Sequence, residues 1–330
     1  MKIQTNKISL ADIYAPIRDW VDRIPATISE VLATDNDLTR EVIRYFFSSP
    51  GKMLRPALCL LGAQFGKSDV PLLLRIASSL EILHSATLIH DDIIDSSFMR
   101  RNLPTVNAKW GPQVAVLVGD FMYDKAFMTI FSSNRRELIA LFLNTAGAVC
   151  DGEILEYREK DNFNLKEEQY LEIIEKKTAS LLSTCVEAGA LVAEIPAEQA
   201  AALKNFGLYF GLAFQIVDDC LDFTGTAEQF GKTIGLDASG GVLTLPVIRL
   251  LSLVSENKKS EVFKIFKSQM APDKFQYLLN LILEYRTVDY AFQKAREFTD
   301  RARLELSTLN DIPAKRSLES LLDYVLERTR

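Results

Sequence analysis

The chain has 330 residues, 48% apolar and 25% charged, which is the composition of an ordinary soluble, globular protein. Its 38 basic and 44 acidic side chains give a formal net charge of −6, which argues against a general nucleic-acid-binding protein. The first residues lack the apolar core of a signal peptide, and there is no continuous apolar run of about 20 residues. We therefore expect a cytoplasmic protein with no transmembrane segment.

The predicted elements are helical along the whole chain. Apolar residues recur every three or four positions, alternation with a period of two is almost absent, and only 15 Gly and 11 Pro interrupt the pattern. In chain order, helical patterns occupy 72–90, 137–157, 169–193, 201–223 and 317–330. Turn-forming segments lie at 48–52, 100–105, 109–112, 159–164, 193–199, 223–241 and 270–274. These features predict an all-α bundle of about ten to thirteen helices in a single domain, 1–330.

The cysteines indicate the redox environment. Cys59, Cys150, Cys185 and Cys220 are scattered along the chain, and no two of them form a CxxC pair. This spacing predicts free thiols in a reducing compartment.

Two clusters of carboxylates end apolar helical runs, DDIID at 91–95 and DDCLD at 218–222. Helical residues four apart lie on one face, about 5–6 Å from each other, so the outer Asp residues of each cluster point together. The middle ones, Asp92 and Asp219, are rotated away by about 100°. Two like charges at this spacing repel each other unless a partner compensates them.

Magnesium is the partner that these clusters favour, because Mg²⁺ takes oxygen ligands from one or two carboxylates, water and substrate phosphates. A single DxxxD is more often a solvated helix face, whereas two such clusters in apolar runs favour a metal site. The candidate metal ligands are Asp91, Asp92, Asp95, Asp218, Asp219 and Asp222.

Basic residues at the breaks between helices fit a phosphate ligand. Each alone is more often a surface charge, but together with the Asp pairs they indicate two anion sites around a metal cluster. These residues are Lys52 and Arg55 in GKMLRP, Arg100 and Arg101 in RRNLPT, Lys177 beside Thr178 in KKTA, and Lys232 in FGKTIG.

The two histidines, His84 and His90, are six residues apart and do not share a helical face. Glu81 and His84 form one ExxH, but a carboxylate-bridged di-iron bundle needs two such motifs, and TLIH at 87–90 is not one. The di-iron alternative is therefore excluded, and His84 is either a core residue or part of the anion site.

In order along the chain, these motifs resemble those of the trans-prenyl diphosphate synthase (polyprenyl synthetase) family. GKMLRP is similar to that family's GKRxRP, LEILHSATLIHDDIID to its first Asp-rich helix, and RRNLPT to RRGxPT. GDFMY, GEILE, KTA, FQIVDDCLDF, FGKTIGLD and TLP follow in the family's order, at 119–123, 152–156, 177–179, 214–223, 230–237 and 244–246.

The resemblance implies an all-α isoprenoid synthase fold, a homodimer, and two Asp-rich helices that face each other across a central cavity. It also implies head-to-tail 1′-4 condensation of isopentenyl diphosphate with an allylic diphosphate, assisted by about three Mg²⁺ ions. Asp91, Asp95 and Asp218 would hold the metal directly, with Asp222 acting through water. Arg100, Lys177 and Lys232 would bind the allylic diphosphate. Lys52, Arg55, His84 and Arg101 would bind isopentenyl diphosphate, and Thr178 and Gln215 would present oxygen dipoles to the carbocation.

Three positions depart from the family pattern. Val242 replaces the second Lys of GKxTLP, which predicts the loss of one contact to the allylic diphosphate. Asn102 replaces a Gly, and a left-handed turn tolerates that change. Glu156 stands where the family often has Gln, and the sequence offers no reason for it.

Small residues before the first Asp cluster favour a medium- or long-chain product. Ala86 and Thr87 lie about one helical turn before Asp91, where short-chain synthases carry a bulky aromatic floor, and Leu83 is medium-sized. A turn rises about 5.4 Å, close to one isoprene unit, so this count predicts about C30 to C45. Phe142 is a candidate floor residue, with an ordinary core residue as the alternative. Tyr in place of Ala86 is expected to truncate the product.

Three alternatives remain to be separated from this interpretation. A class I terpene cyclase shares one DDxxD, but its second metal motif mixes Asn, Ser or Thr with Glu. A non-catalytic subunit of a heteromeric synthase typically lacks one Asp-rich motif, and both are intact here. A short-chain synthase of the same family is the third alternative.

Overall fold

The structure is a computed structural model that describes residues 9–49, 51–224, 241–266 and 272–328. These residues form helices almost throughout, as expected of an all-α fold. The chain divides into two compact units. The first comprises Met1–Asn144, Leu182–Gly207 and Arg303–Tyr324, and the second comprises Thr145–Leu181, Leu208–Ala302 and Val325–Arg330. The expected single domain over 1–330 stays a prediction.

The helices up to residue 131 belong to the first unit. They are α1 (Leu10–Ile13), α2 (Arg18–Val21), α3 (Ile24–Val31), α4 (Asp37–Phe46), α5 (Leu54–Gly62), α6 (Val70–Ile94), α7 (Val106–Trp110) and α8 (Pro112–Phe131). Strands β1 (Met99–Arg100) and β2 (Leu103–Pro104) pair antiparallel between α6 and α7.

The remaining described helices run to the C-terminus. They are α9 (Arg136–Glu159), α10 (Glu167–Ile174), α11 (Ser180–Val192), α12 (Ala197–Thr224), α13 (Leu245–Leu253), α14 (Glu256–Phe266), α15 (Pro272–Glu284), α16 (Thr287–Ser307) and α17 (Pro313–Glu327). One π-helical turn, Glu175–Ala179, joins α10 to α11 without a break. With that segment counted once, thirteen helical rods of eight residues or more lie in the described residues, within the predicted range.

Helix α6 is the central helix of the first unit, and it carries the first Asp cluster. The side chain of Asp69 caps its start by accepting a hydrogen bond from the Leu72 N–H at 3.2 Å. Buried residues run through its middle from Leu73 to Ala86, and α6 packs against α3, α5 and α8. At Gly119 of α8 an added Cβ would lie 2.1 Å from His90 Nε2, so a larger residue there would displace the His90 ring.

Three helices are long and apolar enough to cross a membrane, judged by length and composition alone. They are Val70–Ile94, Arg136–Glu159 and Ala197–Thr224. Inside the fold, 72% and 56% of the apolar windows of the first and third are buried, against 28% for Arg136–Glu159. The mean hydropathy of an 18-residue window can be high although the window contains some polar residues, whereas a continuous apolar run contains none. The expected absence of a transmembrane segment therefore stays a prediction.

All four cysteines are free, as predicted. Three of them, Cys59, Cys185 and Cys220, are buried, and burial raises the pKa of each thiol above its ordinary value. Cys150, on α9, is exposed.

Candidate active site

The first Asp cluster occupies the last turn of α6. Asp91 is half-buried and Asp95 is exposed, whereas Asp92 is only 3% exposed. Arg100 donates from Nε to both carboxylate oxygens of Asp92, at 3.0 and 3.1 Å, and its Nη2 lies 2.9 Å from Oδ1. The middle carboxylate thus positions an arginine, which agrees with its predicted rotation away from the outer pair. A metal-ligand role for Asp92 stays a prediction.

A short hairpin delivers the two arginines of RRNLPT. Arg101 and Asn102 link β1 to β2 with positive φ angles of 49° and 62°, the backbone of a type I′ turn. Asn102 therefore adopts the left-handed conformation expected of it. Arg101 donates from Nη1 to the Ser49 carbonyl at 2.5 Å, and a Cβ on Gly51 would lie 2.8 Å from its Nη2. The hairpin thereby connects the Asp cluster with the GKMLRP segment.

A basic cluster forms around His84 in the first unit. Burial lowers the pKa of His84 well below its ordinary value, and the positive charges of Arg55, Arg100 and Arg101 lower it further. The imidazole is therefore neutral at pH 7. The structure thus brings Arg100, which the sequence assigned to the allylic diphosphate, close to Arg55, His84 and Arg101, which it assigned to isopentenyl diphosphate.

Glu81 is a buried carboxylate inside this cluster, and sequence reasoning considered it only as part of an ExxH. Burial raises its pKa, and the nearby Arg55 and Arg101 partly offset that increase. Its Oε2 has no hydrogen-bond partner among the described residues. Glu81 is therefore the acidic member of a buried cluster that also contains arginines.

Lys52, the fourth predicted isopentenyl diphosphate ligand, is held from both sides. Its Nζ donates to the Tyr324 hydroxyl at 3.4 Å and lies 5.8 Å from the centre of that ring. Its carbonyl accepts a hydrogen bond from the Tyr14 hydroxyl at 3.0 Å. Tyr324 was not predicted, since nothing in the sequence links positions 272 residues apart.

The second Asp cluster lies at the end of α12, in the second unit. Asp219 is 5% exposed, and it accepts hydrogen bonds from the Tyr170 hydroxyl at 2.6 Å and from Gln215 Nε2 at 2.7 Å. Gln215 Oε1 in turn accepts from the Thr178 hydroxyl at 2.9 Å. The middle Asp again orients a predicted site residue, and Tyr170 is a further member that sequence reasoning missed.

Asp218, an outer member of this cluster, forms an ion pair with Arg328 of the C-terminal segment. Arg328 donates from Nη2 to Asp218 Oδ1 at 2.9 Å, and its guanidinium lies 4.8 Å from the centre of the Phe214 ring. Arg328 was not predicted as a site residue. Asp222, one turn further along α12, is half-buried.

Lys177 and Thr178 lie in the π-helical turn, and two glycines make room for it. A Cβ on Gly152 of α9 would lie 2.5 Å from the backbone nitrogen of Lys177. A Cβ on Gly211 of α12 would lie 2.5 Å from the Cα of Ala179. Both helices therefore approach the turn backbone to backbone. A π turn inserts one extra residue into a helix and is often found at functional sites.

The Lys177 ammonium is bound by two carboxylates of α9. Its Nζ lies 2.8 Å from Glu153 Oε2 and donates a short hydrogen bond to Glu156 Oε2. Burial lowers the pKa of Lys177, but Glu156 and Glu153 more than offset that effect, so its pKa lies above the ordinary value. Lys177 is therefore fully charged, and it is already engaged in two ion pairs.

Of the two remaining positions tied to the allylic diphosphate, Lys232 and Val242, the structure describes only Val242. Lys232 lies outside the described residues. Val242 follows Gly241, whose φ is +78° and whose carbonyl accepts a hydrogen bond from the Asp161 N–H at 3.0 Å. The position of the missing Lys is thus fixed next to the end of α9.

The predicted chain-length residues occupy different environments. Ala86, Leu83 and Phe142 are at most 1% exposed, whereas Thr87 is half-buried and its hydroxyl donates to the His84 carbonyl at 2.7 Å. Thr87 also lies one turn before Asp91 on the same face. Among the described residues, Thr87 is therefore a better candidate than Ala86 for lining the space next to the first Asp cluster.

The donor atoms fit magnesium bound together with a phosphate substrate. Among the described residues, no three His, Cys, Asp or Glu side chains form a complete metal-binding group. Each Asp cluster supplies one pair of carboxylates, and Mg²⁺ commonly uses one or two carboxylates with substrate phosphates and water. The pairs would hold the ion only with its substrate.

Comparison with known proteins identifies close relatives along nearly the whole chain. The polyprenyl synthetase family profile matches residues 36–282. The chain is 32% identical over 321 residues to an all-trans-nonaprenyl-diphosphate synthase of Rhodobacter capsulatus, which covers 96% of this chain and 97% of that protein. It is also 32% identical over 327 residues to a short chain isoprenyl diphosphate synthase of Methanothermobacter thermautotrophicus, covering 97% and 99%.

A solved structure gives the same result for the fold. The polyprenyl synthase of Caulobacter crescentus CB15, complexed with calcium and isoprenyl diphosphate, matches with a TM-score of 0.94 and 27% identity. The match covers 98% of this chain and 99% of that chain. The expected all-α isoprenoid synthase fold is confirmed.

Proposed function

Because the chain belongs to the polyprenyl synthetase family and is therefore a prenyltransferase, we propose the reaction that its site supports best. It condenses isopentenyl diphosphate head-to-tail, 1′-4 and trans, with an allylic diphosphate such as geranyl or farnesyl diphosphate. The products are diphosphate and a polyprenyl diphosphate of about C30 to C45 by helical-turn counting. The observation that carries this proposal is that each unit holds an Asp pair beside an oriented set of polar residues. Since both substrates are charged and water-soluble, we place the enzyme in the cytoplasm.

The carboxylates of Asp91, Asp95, Asp218 and Asp222 would hold the magnesium ions, about three of them by the family pattern. Bound Mg²⁺ supplies Lewis-acid neutralisation of the charge that develops on the departing diphosphate. Arg100 is oriented by the buried Asp92, so its fixed positive charge is available to the same leaving group without reorganisation.

The carbocation left by the departing diphosphate needs oxygen dipoles rather than charges of its own sign. Thr178 donates its hydroxyl hydrogen to Gln215, which leaves the hydroxyl oxygen lone pairs available. Asp219 fixes the Gln215 amide by accepting from its nitrogen. The condensed cation then loses a proton to the released diphosphate, so no side-chain base is required.

The deciding experiment is direct. Purified protein with Mg²⁺, labelled isopentenyl diphosphate and farnesyl diphosphate is expected to form labelled prenyl diphosphates, whose chain lengths chromatography resolves. Products of C30 or longer support the proposal. Products that end at C20, after a single condensation with the C15 primer, indicate the short-chain alternative, which the Methanothermobacter relative favours at equal identity. The absence of any product without a second subunit indicates a component of a heteromeric synthase.

Val242→Lys is expected to lower the KM for the allylic diphosphate. The substitution restores a cation where the family carries its second Lys, and one charged hydrogen bond of about 1.5 kcal/mol corresponds to roughly a tenfold change. Steady-state kinetics at saturating isopentenyl diphosphate measure it, with Val242→Met as the uncharged control. Equal KM values in the two variants would remove this explanation.

We also propose a homodimer that uses an exposed stripe on α9. Gly147, Cys150, Ile154 and Tyr157 follow one another at spacings of three and four, and they share one helix face. Ile154 and Tyr157 are 65% and 66% exposed, and an added Cβ on Gly147 would meet nothing within 4 Å. A second copy of the same helix, related by a two-fold axis, would cover this self-complementary stripe.

Mild oxidation is expected to link two chains through Cys150. In an α9–α9 pair that crosses near the middle of the stripe, the two thiols approach within disulfide distance. A non-reducing gel would show a species of twice 37.1 kDa. Cys150→Ser should abolish this species, since the other three cysteines are buried. A monomer in sedimentation, or a cross-link that survives in Cys150→Ser, would contradict the arrangement.

A further inference from the structure

We propose that Glu156 is a positioning residue that competes with the allylic diphosphate for the Lys177 ammonium, and that it thereby sets the affinity of this enzyme for its allylic substrate. The inference rests on the proposed function, since it assigns Lys177 to the allylic diphosphate. It also accounts for a glutamate at a position where the family often has glutamine.

Glu156 binds the ammonium group of Lys177. Lys177 Nζ donates to Glu156 Oε2 and lies 2.8 Å from Glu153 Oε2, so two carboxylates share one ammonium. The three side chains are 17–23% exposed, which weakens solvent screening of their interaction but leaves a route for a ligand. The trio carries a net charge of −1 before any diphosphate arrives.

The backbone holds this ion pair in place. The close approach at Gly152 fixes α9 against the π turn one residue before Glu153 and four before Glu156. On the other side, Gly211 fixes α12 against the same turn. These two backbone contacts therefore fix the position from which Lys177 reaches Glu153 and Glu156. The ion pairs do not depend on the flexibility of the lysine side chain alone.

The negative charges of Glu153 and Glu156 affect how tightly Lys177 can bind a diphosphate. A diphosphate that binds Lys177 must share the ammonium with two carboxylates or displace one of them, and either case weakens its binding to Lys177. Glutamine at 156 would keep a hydrogen bond to Lys177 and remove one negative charge. Because Val242 replaces one lysine of the family pattern, the predicted allylic cations are Arg100, Lys177 and Lys232, and the state of Lys177 has a large share in allylic binding.

A purely structural ion pair is the competing explanation. In that case Glu156→Gln would lower the stability of the fold and leave allylic affinity unchanged or weaker. In the proposed role, the variant binds the allylic diphosphate more tightly, while binding of isopentenyl diphosphate, which is assigned to other residues than Lys177, is unaffected.

The test measures equilibrium binding of a thiolo analogue of farnesyl diphosphate, whose C–S bond resists loss of the diphosphate group. Calorimetry on the intact protein in the presence of Mg²⁺ gives the Kd. Glu156→Gln is expected to lower the Kd about tenfold, the ratio that corresponds to about 1.4 kcal/mol. The KM for farnesyl diphosphate should fall in parallel, and the KM for isopentenyl diphosphate should not change. Asp151→Asn is the matched control, since it removes one negative charge from an exposed position of the same helix without a described contact to Lys177.

A double-mutant cycle with Lys177→Gln isolates the pathway. If Glu156 acts through Lys177, adding Glu156→Gln to Lys177→Gln gives no further gain in affinity. An unchanged or raised Kd in Glu156→Gln, an equal gain in Asp151→Asn, or a gain that persists without Lys177 overturns the inference alone. A wild-type protein that neither binds the analogue nor elongates farnesyl diphosphate overturns the proposed function, and the inference with it.

Discussion

Asp91→Asn is expected to lower kcat about a thousandfold and to leave the melting temperature nearly unchanged. Asparagine keeps the shape of the side chain but removes the charge that would hold a magnesium ion. Lewis-acid stabilisation of the leaving diphosphate is worth several kcal/mol, and about 4 kcal/mol corresponds to a thousandfold in rate. Asp91 is half-buried at the end of α6, so the substitution disturbs little of the core.

The middle aspartate of the same motif provides the comparison. Asp92→Asn removes the counter-ion of Arg100 from a site that is 3% exposed, so it should lower the free energy of unfolding by about 2–3 kcal/mol as well as lowering activity. Asp35→Asn, at an exposed loop position, is the control for charge alone. Single-turnover kinetics and thermal unfolding measure both effects. If Asp91→Asn retained more than a tenth of the native rate, Asp91 would not be a metal ligand.

Thr87→Tyr is expected to shorten the product to about C20, one condensation beyond farnesyl diphosphate. Thr87 is the half-buried residue one turn, about 5.4 Å, before Asp91 on the same face, so an aromatic ring there leaves room for few isoprene units. Chromatography of products from farnesyl diphosphate measures the shift. Turnover should persist, since the ring lies beyond the reacting carbon atoms.

Ala86→Tyr serves as the matched comparison, and here the structure changes the expectation from sequence. Ala86 is 0% exposed, so a tyrosine would overpack the core of the first unit, typically at a cost of about 1–3 kcal/mol. We expect Ala86→Tyr to lower the melting temperature more than Thr87→Tyr does. A folded, active Thr87→Tyr enzyme with the native product distribution would show that the floor lies elsewhere.

The parts of the site that could be predicted from sequence are those carried by local spacing. The outer and middle Asp residues of each motif separate as the helical repeat requires, because burial of Asp92 and Asp219 follows from a rotation of about 100° per residue. The left-handed Asn102 likewise follows from the short turn between Arg100 and Leu103.

The parts that sequence did not predict depend on contacts between distant segments. Tyr170 binds Asp219, 49 residues away, and Arg328 binds Asp218, 110 residues away. No periodicity connects such positions. The Lys177–Glu156 pair belongs to the same class, because it requires the close approach of α9 at Gly152.

The π turn between α10 and α11 has an effect on the phase of the chain. One additional residue is accommodated within five, so the helix that leaves Ala179 resumes with its side chains displaced by about 100° relative to an uninterrupted count from Glu175. Tyr170 and Ile174 before the turn, and Leu182 and Cys185 after it, are all buried despite that offset. The insertion therefore lets two stripes of different phase each be buried, while Lys177 and Thr178 within the turn contact polar partners.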